Sequence, residues 1–223
     1  MKRVQIGTFL VGVLAVAWSA TGTVYNFATF NEVSGTKPFT YLNNGGTSAS
    51  LSYNASVPVS FNFTGPTGLS TADRAATLTI TTNNSFTPAA TIGSLIDQAV
   101  SPAVTLHITE NGTGKNLLSM TFTGDLEGPA GGVNAQITGA DTNAKTVTFT
   151  SDFMTFATPG NSYGLSLAAM STTLSIGPGG FLNSFIADIG GTFSANATQV
   201  PEPAALGAIA VGAFALIRRR SIA

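Results

Sequence analysis

Apolar and polar residues alternate along most of the chain between Thr23 and Gln199. Val57, Val59, Phe61 and Phe63 are separated by Pro58, Ser60 and Asn62, and Leu78 and Ile80 stand between Thr77, Thr79 and Thr81. The same alternation sets Val104, Leu106 and Ile108 against Thr105, His107 and Thr109. It returns in Leu118, Met120 and Phe122 against Ser119, Thr121 and Thr123, and in Val147 and Phe149 against Thr146, Thr148 and Thr150. A period of two in segments rich in Val, Phe, Ile and Thr predicts strands with one buried and one wet face.

Clusters of turn-forming residues separate these runs. They are Asn43-Asn44-Gly45-Gly46, Gly65-Pro66-Thr67-Gly68, Asn111-Gly112, Gly128-Pro129, Gly131-Gly132, Gly177-Pro178-Gly179-Gly180 and Gly190-Gly191. Each is read as a break between short strands, with Asn111-Gly112 at a hairpin tip. Ser94 to Val100 reads as one short helical turn, and no other segment of the middle region keeps a helical period. The expectation is an all-β domain over residues 23–199, an antiparallel β-sandwich with a jelly-roll-like arrangement. No repeat of fixed period supports a solenoid or propeller.

The ends follow different rules. Lys2 and Arg3 precede the apolar stretch Ile6 to Trp18, after which small residues lead into the first polar segment. Residues 1–22 therefore read as a secretory signal peptide, with small residues suited to cleavage at both Ala15-Val16-Ala17 and Ala20-Thr21-Gly22. At the other end Val200-Pro201-Glu202-Pro203 leads into the apolar run Ala204 to Ile217 and then Arg218-Arg219-Arg220. As a helix that run reaches about 21 Å, short of a hydrocarbon core of about 30 Å, so it makes a weak permanent anchor. The arginines fix its orientation, because basic residues stay on the cytoplasmic side. The two prolines keep the segment before it extended.

Those last 24 residues, 200–223, resemble the PEP-CTERM sorting signal of Gram-negative bacteria: the motif at 200–203, a single membrane helix at 204–217 and a basic stop at 218–220. The resemblance implies recognition by a membrane-embedded exosortase, after export with the help of signal peptidase. It implies transient anchoring in the inner membrane, removal of the tail, and display at the cell surface or release, in bacteria that make exopolysaccharide. It implies nothing about the chemistry of the middle domain.

Composition narrows that chemistry. The 223 residues include no Cys and one His, which removes thiolate sites, disulfides and most zinc or imidazole-base constellations. Between Thr23 and Gln199 there are nine carboxylates and four basic side chains, so no basic patch exists for nucleic acid. His107 alternates with Leu106 and Ile108 and belongs to the wet face, and no G-x-S-x-G elbow accompanies it. Asp125 and Glu127, two apart, share a face of an extended chain, the geometry a glycoside hydrolase would need as a starting point. With Asp141 they also form a weak set of oxygen ligands for calcium, although the order of an EF-hand loop is missing. The triplets beginning at Asn54, Asn62, Asn83, Asn111 and Asn196 fit N-glycosylation, but a chain so rich in Asn, Ser and Thr produces them by chance. No cofactor is expected. The reading is a non-catalytic exported surface or matrix protein, structural or adhesive, with exopolysaccharide as a candidate partner. A carbohydrate-binding module is the alternative, and a glycan hydrolase using Asp125 and Glu127 comes third. Trp18, the sole Trp, lies in the signal peptide, which leaves a sugar site only Tyr and Phe rings to stack on.

Overall fold

The alternating segments become twelve antiparallel strands in the computed structural model, which describes residues 23–33, 35–53, 56–81 and 86–200. In chain order they are β1 (Tyr25–Glu32), β2 (Phe39–Asn43), β3 (Ala49–Tyr53), β4 (Val57–Phe63), β5 (Arg74–Thr81) and β6 (Ala90–Ile92). They continue with β7 (Leu95–Glu110), β8 (Asn116–Pro129), β9 (Ala135–Ala140), β10 (Val147–Thr150), β11 (Met154–Ala168) and β12 (Phe185–Gln199). The described residues hold no α-helix, and no helix there is long and apolar enough to cross a membrane. The segment read as a signal peptide, 1–22, and Pro201-Glu202-Pro203 with the apolar run and arginines that follow lie outside the described residues.

Burial follows the period of two. Val57, Val59, Phe61 and Phe63 of β4 are buried, whereas Pro58, Ser60 and Asn62 between them are not. The same holds for Leu106 and Ile108 against His107, and for Leu118, Met120 and Phe122 against Ser119 and Thr121.

The sheet closes on itself. The hydrogen-bonded path runs β1-β4-β5-β7-β8-β9-β11-β12, and β12 then pairs back to β1, with Phe30 opposite Gly191 and Tyr25 opposite Ala195. The remaining strands lengthen members of this ring. β2 follows β1 along the same edge of β12, where Phe39 faces Ala187, and β3 pairs with β2. β6 follows β5 along β7, and β10 follows β9 along β8. The result is an up-and-down antiparallel barrel whose staves stand in chain order.

This replaces the jelly-roll expectation. Greek-key crossovers need long connections, whereas here Gly93-Ser94 alone joins β6 to β7, and residues 111–115 and 130–134 join β7 to β8 and β8 to β9. Links that short connect only adjacent antiparallel strands. Alternation could not distinguish the two arrangements, because sandwich and barrel alike bury one face of every strand. Two local readings also change. Ile96 and Val100 alternate with Asp97 and Ala99 in β7, so the segment from Leu95 is strand rather than helical turn. Gly190-Gly191 lies in the middle of β12 and Gly128-Pro129 at the end of β8, where neither pair breaks the ladder.

The interior is one continuous apolar cluster. Phe27, Phe30, Phe61, Phe63, Phe122 and Phe193 are essentially inaccessible, each contributing roughly 1.5–3 kcal/mol through burial. Phe27 packs edge-on to Phe149 of β10 at 5.4 Å between ring centres, which ties the outlying strand to the core. Two polar side chains inside are linked in a chain. The Tyr41 hydroxyl donates to Gln98 Oε1 (2.8 Å), and Gln98 Nε2 donates to the Thr87 carbonyl (2.9 Å). Burial pushes the Tyr41 phenol up to about 12, with the Gln98 contact pulling the other way. The long segment 169–184 places Met170, Leu174, Phe181 and Leu182 against the same core.

Candidate functional site

Closure sends every inward position to the core and every outward position to solvent, so any site on the staves must be built from outward residues. These are chiefly Thr, Ser, Asn and Gln. A barrel that crosses a lipid bilayer carries an apolar outer band, and this one is arranged the other way round.

The residues singled out in the sequence are distributed over that wall. Asp125 and Glu127 do share the outer face of β8, opposite Ala99 and Asp97 of β7. Lys145 Nζ donates to Asp125 Oδ1 at 2.6 Å, a partly exposed pair of modest energetic weight. Asp97 is affected more. Its Oδ1 is buried without a hydrogen-bond partner. Desolvation raises its carboxyl above the usual range, the Asp125 charge raises it further, and Lys145 opposes both. Asp141 is engaged elsewhere. Its carboxylate accepts from the backbone N–H groups of Gly160 (2.9 Å) and Asn161 (3.1 Å) and so fixes the bulge of β11. No three acidic or imidazole side chains converge on a metal-sized site among the described residues. His107 Nδ1 lies 2.8 Å from Ser119 Oγ on the adjacent strand, and Ser119 Oγ donates to Asn116 Oδ1 at 2.9 Å.

Three concavities of the wall are lined mostly by residues that alternation did not single out. A cavity of about 370 Å³ is lined by Thr29, Asn31, Gln136, Gly164, Ser166 and Thr192 among others. A second, of about 320 Å³, adjoins it through Gln136 and Ser166 and reaches Leu95, Glu127 and Pro129. A third, of about 260 Å³, adjoins through Asn31 and Ser166 and reaches Asp188. The three form one trough centred on Ser166.

Register explains the trough. Across the ladder Asp97 faces Glu127, Glu127 faces Gln136, Gln136 faces Ser166, Ser166 faces Gly190 and Gly190 faces Asn31. The neighbouring row reads Asp125, Thr138, Gly164, Thr192, Thr29, Asn62. Adjacent strands are about 4.8 Å apart, so the first row extends roughly 24 Å. Gly190 in this row and Gly164 in the next carry no side chain, leaving patches of backbone floor with Asn31, Ser166 and Gln136 beside them. A Cβ on Gly190 would lie 3.1 Å from Asn31 Oδ1 and 3.3 Å from Ser166 Oγ, so these polar atoms already lean over the glycine. The side-chain amides of Asn31 and Gln136 make no hydrogen bond within the described residues and are exposed. Sequence reasoning missed all of these residues, because a glycine inside a strand looks like a turn until its partners are known.

At its far end β12 runs directly into the C-terminal segment. Gln199 is its last residue, and the Val200 N–H donates to the Phe153 carbonyl at 2.9 Å, fastening the exit point to the barrel rim. The described residues thus form an all-antiparallel barrel with a polar wall, whose last stave ends at Gln199. Residues 199–221 match the family model of the PEP-CTERM protein-sorting motif, which contains Val200, Pro201, Glu202, Pro203 and Arg218, Arg219 and Arg220. The chain therefore carries the motif of exported proteins processed by an exosortase. No curated protein and no solved structure matches the chain.

Proposed function

We propose that this is a non-catalytic protein of the cell surface or extracellular matrix, structural or adhesive in role, with residues 1–22 as signal peptide, 23–199 as the exported barrel and 200–223 as a removable sorting tail. The sorting motif at 199–221, starting where the last stave ends, carries the reading. Cleavage near Pro201-Glu202-Pro203 would leave every strand of the ring in place, so the processed product keeps its whole core. A polar wall of Thr, Ser, Asn and Gln suits a hydrated surface. Asp125 held by Lys145, and Asp141 held by backbone donors, fit structural duties better than acid and base duties.

In the native host the recovered protein is expected to lack Arg218, Arg219 and Arg220 by intact mass, and replacement of Pro201-Glu202-Pro203 by three alanines is expected to leave it full length and membrane-bound. Retention of Ile217 and the arginines on nearly all unmodified molecules would mean simple tail anchoring instead.

A further inference from the structure

We infer that the trough centred on Ser166 is a binding site for an extended, uncharged polysaccharide chain lying across β8, β9, β11, β12 and β1. The inference deepens the adhesive role proposed above by giving it a ligand class and a location.

The shape comes first. Three adjoining concavities make one groove in a wall that otherwise carries a side chain at each outward position, and the groove exists because Gly164 and Gly190 stand opposite polar neighbours. Its chemistry is that of hydroxyl recognition. Asn31 and Gln136 each offer a donor and an acceptor with no competing partner among the described residues, and Thr192 and Ser166 add hydroxyls. Near Glu127 the floor becomes apolar, with Leu95, Pro129 and Ala135, a surface that the C–H faces of sugar rings can cover.

Charge and topology exclude the competing macromolecules. Carboxylates stand at both ends, Glu127 with Asp97 opposite it at one and Asp188 at the other, so phosphates and uronates are disfavoured. A peptide strand binds by adding to a sheet edge or by filling apolar side-chain pockets. The ring leaves no open edge beside the trough, because β1, β12, β11 and β9 are each paired on both sides there. A polyol needs neither an edge nor deep pockets.

The site can be filled with little disturbance of the fold. A Cβ on Gly164 would meet only Thr192 Oγ1, at 3.7 Å, so a larger side chain there projects into the trough. The experiment uses the full-length protein purified in mild detergent, depleted from solution by insoluble cellulose, chitin or β-1,3-glucan, with alginate as the anionic comparison. Binding to at least one neutral polymer is expected, with none to alginate. Gly164→Tyr should reduce binding at least tenfold, and the double variant Asn31→Ala, Gln136→Ala several-fold. Both should keep the strand-dominated circular dichroism of the parent, while His107→Ala, elsewhere on the wall, should bind as the parent does. Failure to bind all three neutral polymers would overturn the inference. So would full binding by a folded Gly164→Tyr protein, or displacement of bound polymer by unrelated peptides. Because binding is read on purified protein, it stands or falls separately from the processing read by mass in the host.

Discussion

Two parts of the same outer wall use the same register for opposite ends. On β5, β7, β8 and β10 one row across the ladder is Thr81, Thr105, Thr121 and Thr148, threonine on every strand. The hydroxyls of Thr105 and Thr121 lie 3.3 Å apart and satisfy one another. On β8, β9, β11, β12 and β1 the corresponding row contains Glu127, Gln136, Ser166, Gly190 and Asn31, with a glycine between Ser166 and Asn31 and two amides left open. β-Branched residues favour the pleated, half-exposed surface, whereas a glycine inside a strand costs about 0.5–1 kcal/mol relative to alanine. One side of the barrel therefore contributes stability through its surface, and the other gives some up for shape.

That distinction depends on the trough glycines serving the outside rather than the core, and the adjacent Gly191 provides the test. Gly191 faces inward, where an added Cβ would strike the Phe30 ring and come within 2.9 Å of Leu165 Cδ2. Gly191→Ala is expected to destabilise by about 1–3 kcal/mol through overpacking, whereas Gly164→Ala is expected to be neutral or slightly stabilising. Chemical denaturation of both variants measures the difference. Equal losses would mean that Gly164 too is a packing requirement, and the contrast between the two sides would disappear.

A smaller effect comes from exchanging the two surface chemistries. Thr121→Gly removes a β-branched residue and its partner for Thr105, and should cost about 1–2 kcal/mol. Gly164→Thr should gain up to about 1 kcal/mol while narrowing the trough. If both substitutions changed the melting temperature in the same direction, the threonine face would not be the stabilising one.

How much of this was legible beforehand follows from what each signal reports. Alternation reports which face of a strand is buried, so Phe61 and Phe63, Leu106 and Ile108, and Met120 and Phe122 were correctly placed inside from spacing alone. It also put Asp125 and Glu127 on one outer face, where they are. It carries no information about which strands are neighbours. Closure of β12 onto β1 joins residues more than 150 positions apart in the chain, such as Asn31 and Gly190, and no local pattern encodes that contact. The trough was invisible for the same reason. Gly190-Gly191 resembles Gly131-Gly132 in sequence, yet the first pair sits between two paired strands and the second in a turn, a difference that only the ladder supplies. Asp141 read as a ligand because its type was right, but the backbone N–H groups of Gly160 and Asn161 that occupy it are contributed by a distant bulge.

The smallest expected effect concerns the acidic end of the trough, where Asp97 separates the two sides of the wall. Its carboxyl is raised in the fold by desolvation first and by Asp125 second, with Lys145 opposing. A raised acid binds its proton more tightly in the folded state than in the unfolded one. The ionised form is therefore the unfavourable one, and the stability attached to the protonated form is lost as pH rises from the ordinary aspartate value through the raised one. Asp97→Asn removes the charge while keeping the shape. The variant should melt at a higher temperature than the parent at pH 7, and the gain should vanish at pH 3, where Asp97 is already protonated in both states. Asp125→Asn in the same background should shrink the remaining difference, because part of the perturbation comes from its charge. Melting curves that differ equally at pH 3 and pH 7 would assign the effect to packing around residue 97. The acidic end would then be an ordinary piece of the wall rather than a place where charge is held at a cost to stability.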